Sequence, residues 1–186
     1  MVAVGIAVFL WALFGVRETT PPQVPPVPIQ IIPSSPSVEV VEPTIAPVLY
    51  DERPEVGDRV GTITLPSLKL SWPIYEGTTE TQLARGVGHY VKSVLPGETD
   101  NSVLSGHRTT VFNRLGELEM GELILVKTKA GTFTYKISKF RTVMRTSKAV
   151  IVPTETATLT LTTCYPFNNV GLTTRAFIVT ADLVTE

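Results

Sequence analysis

The only cysteine of the chain lies where a reactive thiol is favoured over a packed one. Cys164 ends the run TATLTLTTC, and the next residues, YPFNNVG, contain a proline and the turn formers Asn and Gly. Because proline disfavours strand pairing and Asn-Asn-Gly favours a turn, we expect the thiol at the rim of a sheet, beside a loop. A thiol exposed at a rim is suited to nucleophilic catalysis.

Two other residues have the chemistry that such a thiol requires. His107 ends the segment SVLSGH, and an imidazole both accepts and donates protons near neutral pH. Arg175 lies eleven positions after Cys164, at the start of the next apolar run. If these two runs form antiparallel neighbours, the guanidinium lies beside the sulfur, where it can lower the thiol pKa and donate hydrogen bonds to an oxyanion. This trio predicts acyl transfer.

The remaining candidates for a site are weak. His89, in GVGHY, lies between a predicted helix end and a loop, and we interpret it as a structural histidine. One cysteine excludes an intramolecular disulfide, and one cysteine with two histidines gives few ligands for zinc. We therefore expect no metal and no cofactor.

The elements that position the trio begin at Asp51, where short runs of Val, Ile, Thr, Tyr and Phe alternate with Gly, Pro, Asn and Asp. That pattern is typical of a mainly β domain, and many short strands favour a closed or nearly closed barrel without unpaired edges. The predicted strands are Val60–Leu65, Leu68–Tyr75, Ser102–Gly106, Leu123–Lys127, Thr132–Val143, Ala149–Val152, Thr158–Cys164 and Arg175–Leu183. Two short helices are predicted between them, at Thr79–Arg85, where Thr79 and Gln82 have capping-box spacing, and at Val111–Leu118.

The first fifty residues predict an anchor and a spacer. Residues 1–16 are apolar and uncharged, so we assign residues 1–17 to a hydrophobic membrane anchor that is not cleaved, although at 1.5 Å per residue the run covers only about 24 Å. Nine prolines between Pro21 and Pro47 favour extended polyproline II conformation, and we assign residues 18–50 to an extracytoplasmic linker. Residues 51–186 form the predicted catalytic domain. A formal net charge of -1 gives no reason to expect a nucleic-acid partner.

Several sequence blocks together resemble the sortase family. They are TLTTC at residues 160–164, LSGHR at residues 104–108, Arg175, GTITLPSL, GVGHY and PGETDNSVLSGH, which cover about the last 130 residues in order. The resemblance implies an eight-stranded sortase-type β-barrel. It also implies cleavage of a Leu-Pro-x-Thr-Gly-like sorting signal between Thr and Gly, followed by transfer of the acyl group to an amine of a cell-wall precursor or a pilin.

The resemblance gives each residue of the trio a role. Cys164 would be the nucleophile, His107 would protonate the leaving amine, and Arg175 would hold the substrate carbonyl or oxyanion, with Thr163 shaping the oxyanion site. Cell-surface proteins with a C-terminal sorting signal would be the partners, and the enzyme would be held at the cell membrane of a Gram-positive bacterium.

The motifs point most to class D, because CYPF after the strand resembles that class, whereas GHRTT resembles class E. Only Glu155 is acidic between Val143 and Thr156, so the calcium site of some class A members is not expected. An L,D-transpeptidase is disfavoured because Thr162 and Thr163 precede the cysteine in place of Ser-x-Gly. The non-enzymatic alternative is a membrane-anchored β-domain for adhesion or scaffolding.

Overall fold

The computed structural model describes residues 48–147, 151–168 and 171–184, and this part of the chain is mainly β. It contains one α-helix, α1 (Glu80–Leu83), and one 3₁₀ helix (Leu115–Glu117). Eight strands make up the rest of the regular structure: β1 (Arg59–Leu65), β2 (Leu70–Glu76), β3 (Val87–His89), β4 (Asn101–Ser105), β5 (Leu123–Thr128), β6 (Gly131–Met144), β7 (Thr158–Tyr165) and β8 (Arg175–Leu183).

The eight strands form a closed barrel in the order β1-β2-β3-β4-β7-β8-β6-β5, which confirms the predicted fold class. The strand pairs are antiparallel except β2–β3 and β4–β7, which are parallel. Side chains alternate along each strand, so Leu159 and Leu161 of β7 lie in the hydrophobic core while Thr160, between them, faces the other side of the sheet. The centre of the core is fully buried, and its members include Ile74, Leu104, Ile124, Val126, Tyr135 and Val179.

One strand was missed, and one predicted strand is not supported. β3 has only three residues with Gly88 at its centre, a composition that favours a turn; a Cβ at Gly88 would lie 2.4 Å from the carbonyl oxygen of Gly77, so only glycine permits this close approach. The strand predicted at Ala149–Val152 lies partly outside the described residues, and Ile151 and Val152 belong to no strand. Their segment is held by side chains instead, since the Asn101 amide donates to the Val152 carbonyl.

Both predicted helices are shorter than expected. The first keeps four residues, and the Thr79 hydroxyl donates to the Gln82 side chain instead of capping the backbone. The second is reduced to three residues of 3₁₀ helix, because its backbone bonds close three-residue turns, as from Leu118 N–H to Leu115 O.

The predicted anchor and most of the predicted linker lie outside the described residues. Tyr50, the last residue assigned to the linker, is attached to the barrel, where its hydroxyl donates to the Pro96 carbonyl and contacts the Thr128 hydroxyl. Among the residues that the structure describes, no helix has the length and apolar character needed to cross a bilayer.

Candidate active site

Parallel pairing of β4 with β7 brings His107 level with Cys164. Ser105 pairs with Thr162 in this register, and each functional residue follows its paired residue by two positions. Both strands run in the same direction, so their carboxyl ends meet at one edge of the barrel. His107 and Cys164 therefore lie at the same edge, and both line one cleft.

Gly106 makes the turn that carries His107. A Cβ at this position would lie 2.5 Å from Val111 and 2.6 Å from the ring of Phe112, so the turn packs directly on the glycine backbone. Phe112 is fully buried, and its backbone N–H donates to the His107 carbonyl at 3.0 Å. This packing fixes the backbone from which the imidazole projects.

Two hydrogen bonds tie this turn to the strand that carries the thiol. The Gly106 N–H donates to the Thr162 carbonyl at 3.1 Å, and the Thr163 hydroxyl donates to the Gly106 carbonyl at 2.7 Å. Thr163 is 4% exposed, so its hydroxyl is committed to this buried bond. We therefore regard Thr163 as a residue that positions His107 against Cys164, whereas the sequence suggested a part in the oxyanion site.

We expect Thr163→Val to weaken both the fold and the activity. The substitution keeps the shape but leaves the buried Gly106 carbonyl without its donor, which costs about 1–3 kcal/mol of unfolding free energy. We also expect kcat to fall roughly tenfold, because the bond orients the His107 backbone. Thr163→Ser keeps the hydroxyl and serves as the control; chemical denaturation and peptide turnover of the two variants test this role, and equal values would contradict it.

Cys164 lies in a cleft of about 370 Å³ on the side of the sheet that faces away from the barrel core. The thiol is half-buried, and His107 is about one third exposed, with Nε2 3.2 Å from the Glu80 carboxylate. The cleft is large enough for several side chains of a peptide and is lined by residues that include Thr78, Leu83, Ser105, Thr162 and Ala176. We refer to this cavity as the main cleft.

Arg175 lies at the same end of the barrel, but its side chain starts on the other face of the sheet. In the β7–β8 register, Cys164 pairs with Ala176 and Arg175 pairs with Tyr165. Paired residues share a face and successive residues alternate, so Ala176 is the residue of β8 that faces the main cleft. Arg175 is exposed, and its guanidinium makes no hydrogen bond or ion pair with any side chain or backbone group in residues 48–147, 151–168 and 171–184.

A different arginine, Arg145, lines the main cleft, and the sequence analysis did not find it. Val143 pairs with Ala176, and two residues later the Arg145 N–H donates to the Thr174 carbonyl at 2.8 Å, so Arg145 returns to the face of Cys164. Its guanidinium also donates to the Thr173 carbonyl at 3.3 Å. Arg145 could have been found because it follows Val143, the partner of Ala176, by two residues and so returns to the same face. Using that signal requires the β6–β8 register, which the sequence alone does not provide.

A second, smaller cavity of about 160 Å³ adjoins the main cleft beneath the β7–β8 loop. It shares Cys164, His107 and Arg145 with the main cleft, and we refer to it as the side cavity. Arg108 also lines it and donates to the Gly171 carbonyl at 2.8 Å. Cys164 and His107 therefore line both cavities.

The remaining features lie apart from this site. His89 is 1% exposed, with Nδ1 2.7 Å from the Glu76 carboxylate and Nε2 2.9 Å from the Val94 carbonyl, which agrees with the structural role that we assigned. A cavity of about 410 Å³ is lined by Tyr50, Leu95 and others, and by none of the catalytic candidates. The described residues contain no group of three or more His, Cys, Asp or Glu side chains arranged to hold a metal ion.

Comparison with known proteins adds relatives with the same fold. Residues 63–184 match the sortase domain family. Sortase D of Bacillus subtilis (strain 168) is 42% identical over 134 residues, which cover 72% of this chain and 68% of that protein. Sortase A of Listeria monocytogenes serovar 1/2a is 25% identical over 128 residues, which cover 67% of this chain and 56% of that protein.

Solved structures give the same result. Sortase C from Clostridium perfringens SM101 superimposes with a TM-score of 0.64 at 27% identity, over 71% of this chain and 73% of that chain. A sortase D5 transpeptidase of Clostridium perfringens gives a TM-score of 0.64 at 25% identity, over 70% of this chain and 83% of that chain. The 42% identity to a sortase D agrees with the class D resemblance of the CYPF segment. The domain match, the level of identity and the shared barrel together show that this chain belongs to the sortase family.

Proposed function

We propose that the protein is a sortase whose thiol cleaves a Leu-Pro-x-Thr-Gly-like sorting signal between Thr and Gly and transfers the new acyl group to an amine. The observation that supports this most directly is that Cys164 and His107 lie at the carboxyl ends of two neighbouring parallel strands and line one cleft. A nucleophile and a proton-transfer group in that relation are what acyl transfer needs.

In the first half of the reaction, the sulfur of Cys164 attacks the threonine carbonyl carbon. A C–S bond forms, the C–N bond to glycine breaks, and His107 delivers a proton to the leaving amine. The proton given to the amine is the one that the sulfur gives up to His107, either during this step or beforehand when the thiolate–imidazolium pair forms, so the step balances from either resting state. The product is a thioester between the threonine acyl group and the enzyme.

In the second half, an amine attacks the thioester carbonyl. A C–N bond forms, the C–S bond breaks, and the proton released by the amine returns to the sulfur through His107. Oxyanions arise in both halves, and we propose Arg175 as the guanidinium that stabilises them, as the sortase resemblance implies. Arg175 is exposed at the start of β8, and this role requires its side chain to turn around the strand end when a substrate binds.

The partners and the cellular location complete the proposal. The substrates would be cell-surface proteins with a C-terminal sorting signal, and the amine would come from a peptidoglycan precursor or a pilin. Residues 1–17 would anchor the protein in the cell membrane, with residues 18–50 holding the catalytic domain on the extracytoplasmic side.

The test is turnover of a peptide library by the full-length protein. The library varies the first four positions of the sorting signal and is supplied with several amines, and mass spectrometry identifies the products. We expect cleavage after threonine and, when an amine is present, a ligated product that contains it. The residue preferred at the second position of the signal shows whether the enzyme recognises signals with Pro or with Ala there. The amine that is used best shows whether the acceptor resembles a cell-wall precursor or a pilin. Absence of cleavage of every peptide would contradict the proposal.

A further inference from the structure

The proposed reaction gives no role to the hydrogen bond between His107 and Glu80. In this bond, Nε2 of His107 lies 3.2 Å from Oε1 of the Glu80 carboxylate. An ionised carboxylate only accepts hydrogen bonds, so Nε2 carries the hydrogen. Nδ1 of the same ring has no hydrogen-bond partner in residues 48–147, 151–168 and 171–184. One ring nitrogen is therefore held by Glu80, and the other is free.

Packing of α1 against the sheet places Glu80 beside His107. A Cβ at Gly88 would lie 3.0 Å from Leu83 of α1, so the helix packs directly on β3. Gly88 pairs with Ser105, two residues before His107. The helix and the turn that carries the imidazole are therefore supported by one pair of strands, which brings the carboxylate to the ring although the Glu80 side chain is 81% exposed.

The charged groups around His107 leave this task to Glu80. Among the described residues that line the main cleft or the side cavity, Glu80 is the only acidic one, and the basic ones are Arg108 and Arg145. A guanidinium only donates hydrogen bonds, so neither arginine can hold the hydrogen on Nε2. The hydrogen bond at one ring nitrogen of a histidine decides which nitrogen is left for other chemistry. Glu80 therefore orients the ring and leaves Nδ1 for proton transfer.

We propose that Glu80 is a positioning residue that holds the Nε2 hydrogen of His107 and so makes Nδ1 the ring nitrogen that transfers the proton. This inference rests on the proposed function and specifies the path of its proton. The sulfur of Cys164 gives its proton to Nδ1, and Nδ1 passes it to the leaving amine as the C–N bond to glycine breaks. The hydrogen on Nε2 stays on the ring and Glu80 takes up no proton, so the step balances.

Removal of the Glu80 carboxylate is the first test. The side chain is exposed and alanine is favourable in a helix, so Glu80→Ala should fold normally. In the full-length protein, we expect kcat for cleavage of a sorting-signal peptide to fall about fivefold, the upper end of what an exposed ion pair contributes. KM should change less than kcat, because the carboxylate acts on the imidazole and not on the peptide.

Two further variants make this test specific. Glu80→Gln keeps an oxygen that accepts from Nε2, so it should lose less activity than Glu80→Ala. The control is Glu119→Ala, which removes a carboxylate from an exposed position outside both cavities and should leave kcat unchanged. The denaturation midpoint of each variant is measured alongside its kinetics.

Methylated histidines test the assignment of the two ring nitrogens directly. Nδ1-methylhistidine in place of His107 blocks the nitrogen that transfers the proton, and we expect kcat to fall by about 10² or more, the contribution of general acid–base catalysis. Nε2-methylhistidine removes only the hydrogen that Glu80 accepts, so kcat should fall about as far as in Glu80→Ala. The ring of His107 is about one third exposed, which gives a methyl group on Nε2 access to solvent.

A double substitution separates positioning from a structural effect. If Glu80 acts only through the Nε2 hydrogen, Glu80→Ala should cause no further loss of kcat in the protein that carries Nε2-methylhistidine at position 107. A role of Glu80 in peptide binding or in the fold would instead add the same loss in both backgrounds.

The outcomes separate this inference from the proposed function. If the unaltered protein cleaves no peptide, the proposed function fails. If it cleaves but Glu80→Ala keeps kcat within twofold, or loses as much with Nε2-methylhistidine at position 107 as without it, the positioning role of Glu80 is overturned while the proposed function stands. Greater activity of the Nδ1-methylated protein than of the Nε2-methylated one would assign the transfer to Nε2 and overturn the inference as well.

Discussion

Cys164→Ala is expected to abolish cleavage of a Leu-Pro-x-Thr-Gly peptide. No other cysteine is present, and the described lining of the main cleft offers no other thiol to form the acyl intermediate. Removing the nucleophile of such a unit leaves only the binding contribution, so we expect kcat to fall by at least about 10⁴. Release of the glycine-bearing fragment, followed by mass spectrometry or a fluorescence assay, measures the loss.

The fold should tolerate this change, which makes the result interpretable. The cross-strand neighbour of Cys164 is Ala176, and the thiol is half-buried at a cleft, so alanine fits the site without a new contact. An unchanged denaturation midpoint with no turnover is the expected combination. Undiminished turnover would end the thioester mechanism.

Labelling of the unaltered protein separates the catalytic interpretation from a packed cysteine. A thiol that lines two cavities should react with a small alkylating reagent in the folded state, and the modified protein should lose turnover. Membership of the sortase family, whose members are cysteine transpeptidases, already argues against the non-enzymatic adhesion or scaffolding alternative.

A candidate site residue could be predicted from the sequence where its position depends on a single strand. The alternation in TLTLTTC puts leucines in the core and the cysteine on the other face, and proline after it ends the strand at a rim. β4 ends at Ser105, directly before Gly106 and His107, and the parallel β4–β7 pairing aligns the ends of the two strands. Local pattern was enough to place these two residues near strand ends, because Cys164 is the penultimate residue of β7 and His107 lies two residues beyond β4.

What the sequence could not provide depends on contacts between distant segments. β3 exists because Gly88 permits close approach to the Gly77 backbone, a contact that leaves no periodic signal. Arg145 reaches the main cleft through the register of β6 with β8, and a register is not visible in either strand alone. The β7–β8 register places Arg175 and Cys164 on opposite faces of the sheet, although the eleven-residue spacing predicted them side by side.

Arg175→Ala is expected to lower kcat by a factor on the order of 10² to 10³, the loss typical of removing one oxyanion donor. Arg145 lines the main cleft but is engaged, with its N–H on Thr174 and its guanidinium on the Thr173 carbonyl. The Arg175 guanidinium has no hydrogen-bond partner among the described residues, so it is available to bind a developing negative charge near the end of β8. Steady-state kinetics with a saturating peptide measure the effect on kcat.

Two matched variants make this prediction specific. Arg175→Lys keeps the charge but loses the planar set of donors, and we expect it to recover only part of the activity. Arg145→Ala removes the neighbouring guanidinium, and we expect less than a tenfold loss in kcat for peptide hydrolysis. If Arg145→Ala gives the large loss and Arg175→Ala gives less than tenfold, the guanidinium that serves the oxyanion belongs to Arg145, and the sheet register, not the spacing from Cys164, identifies the functional arginine.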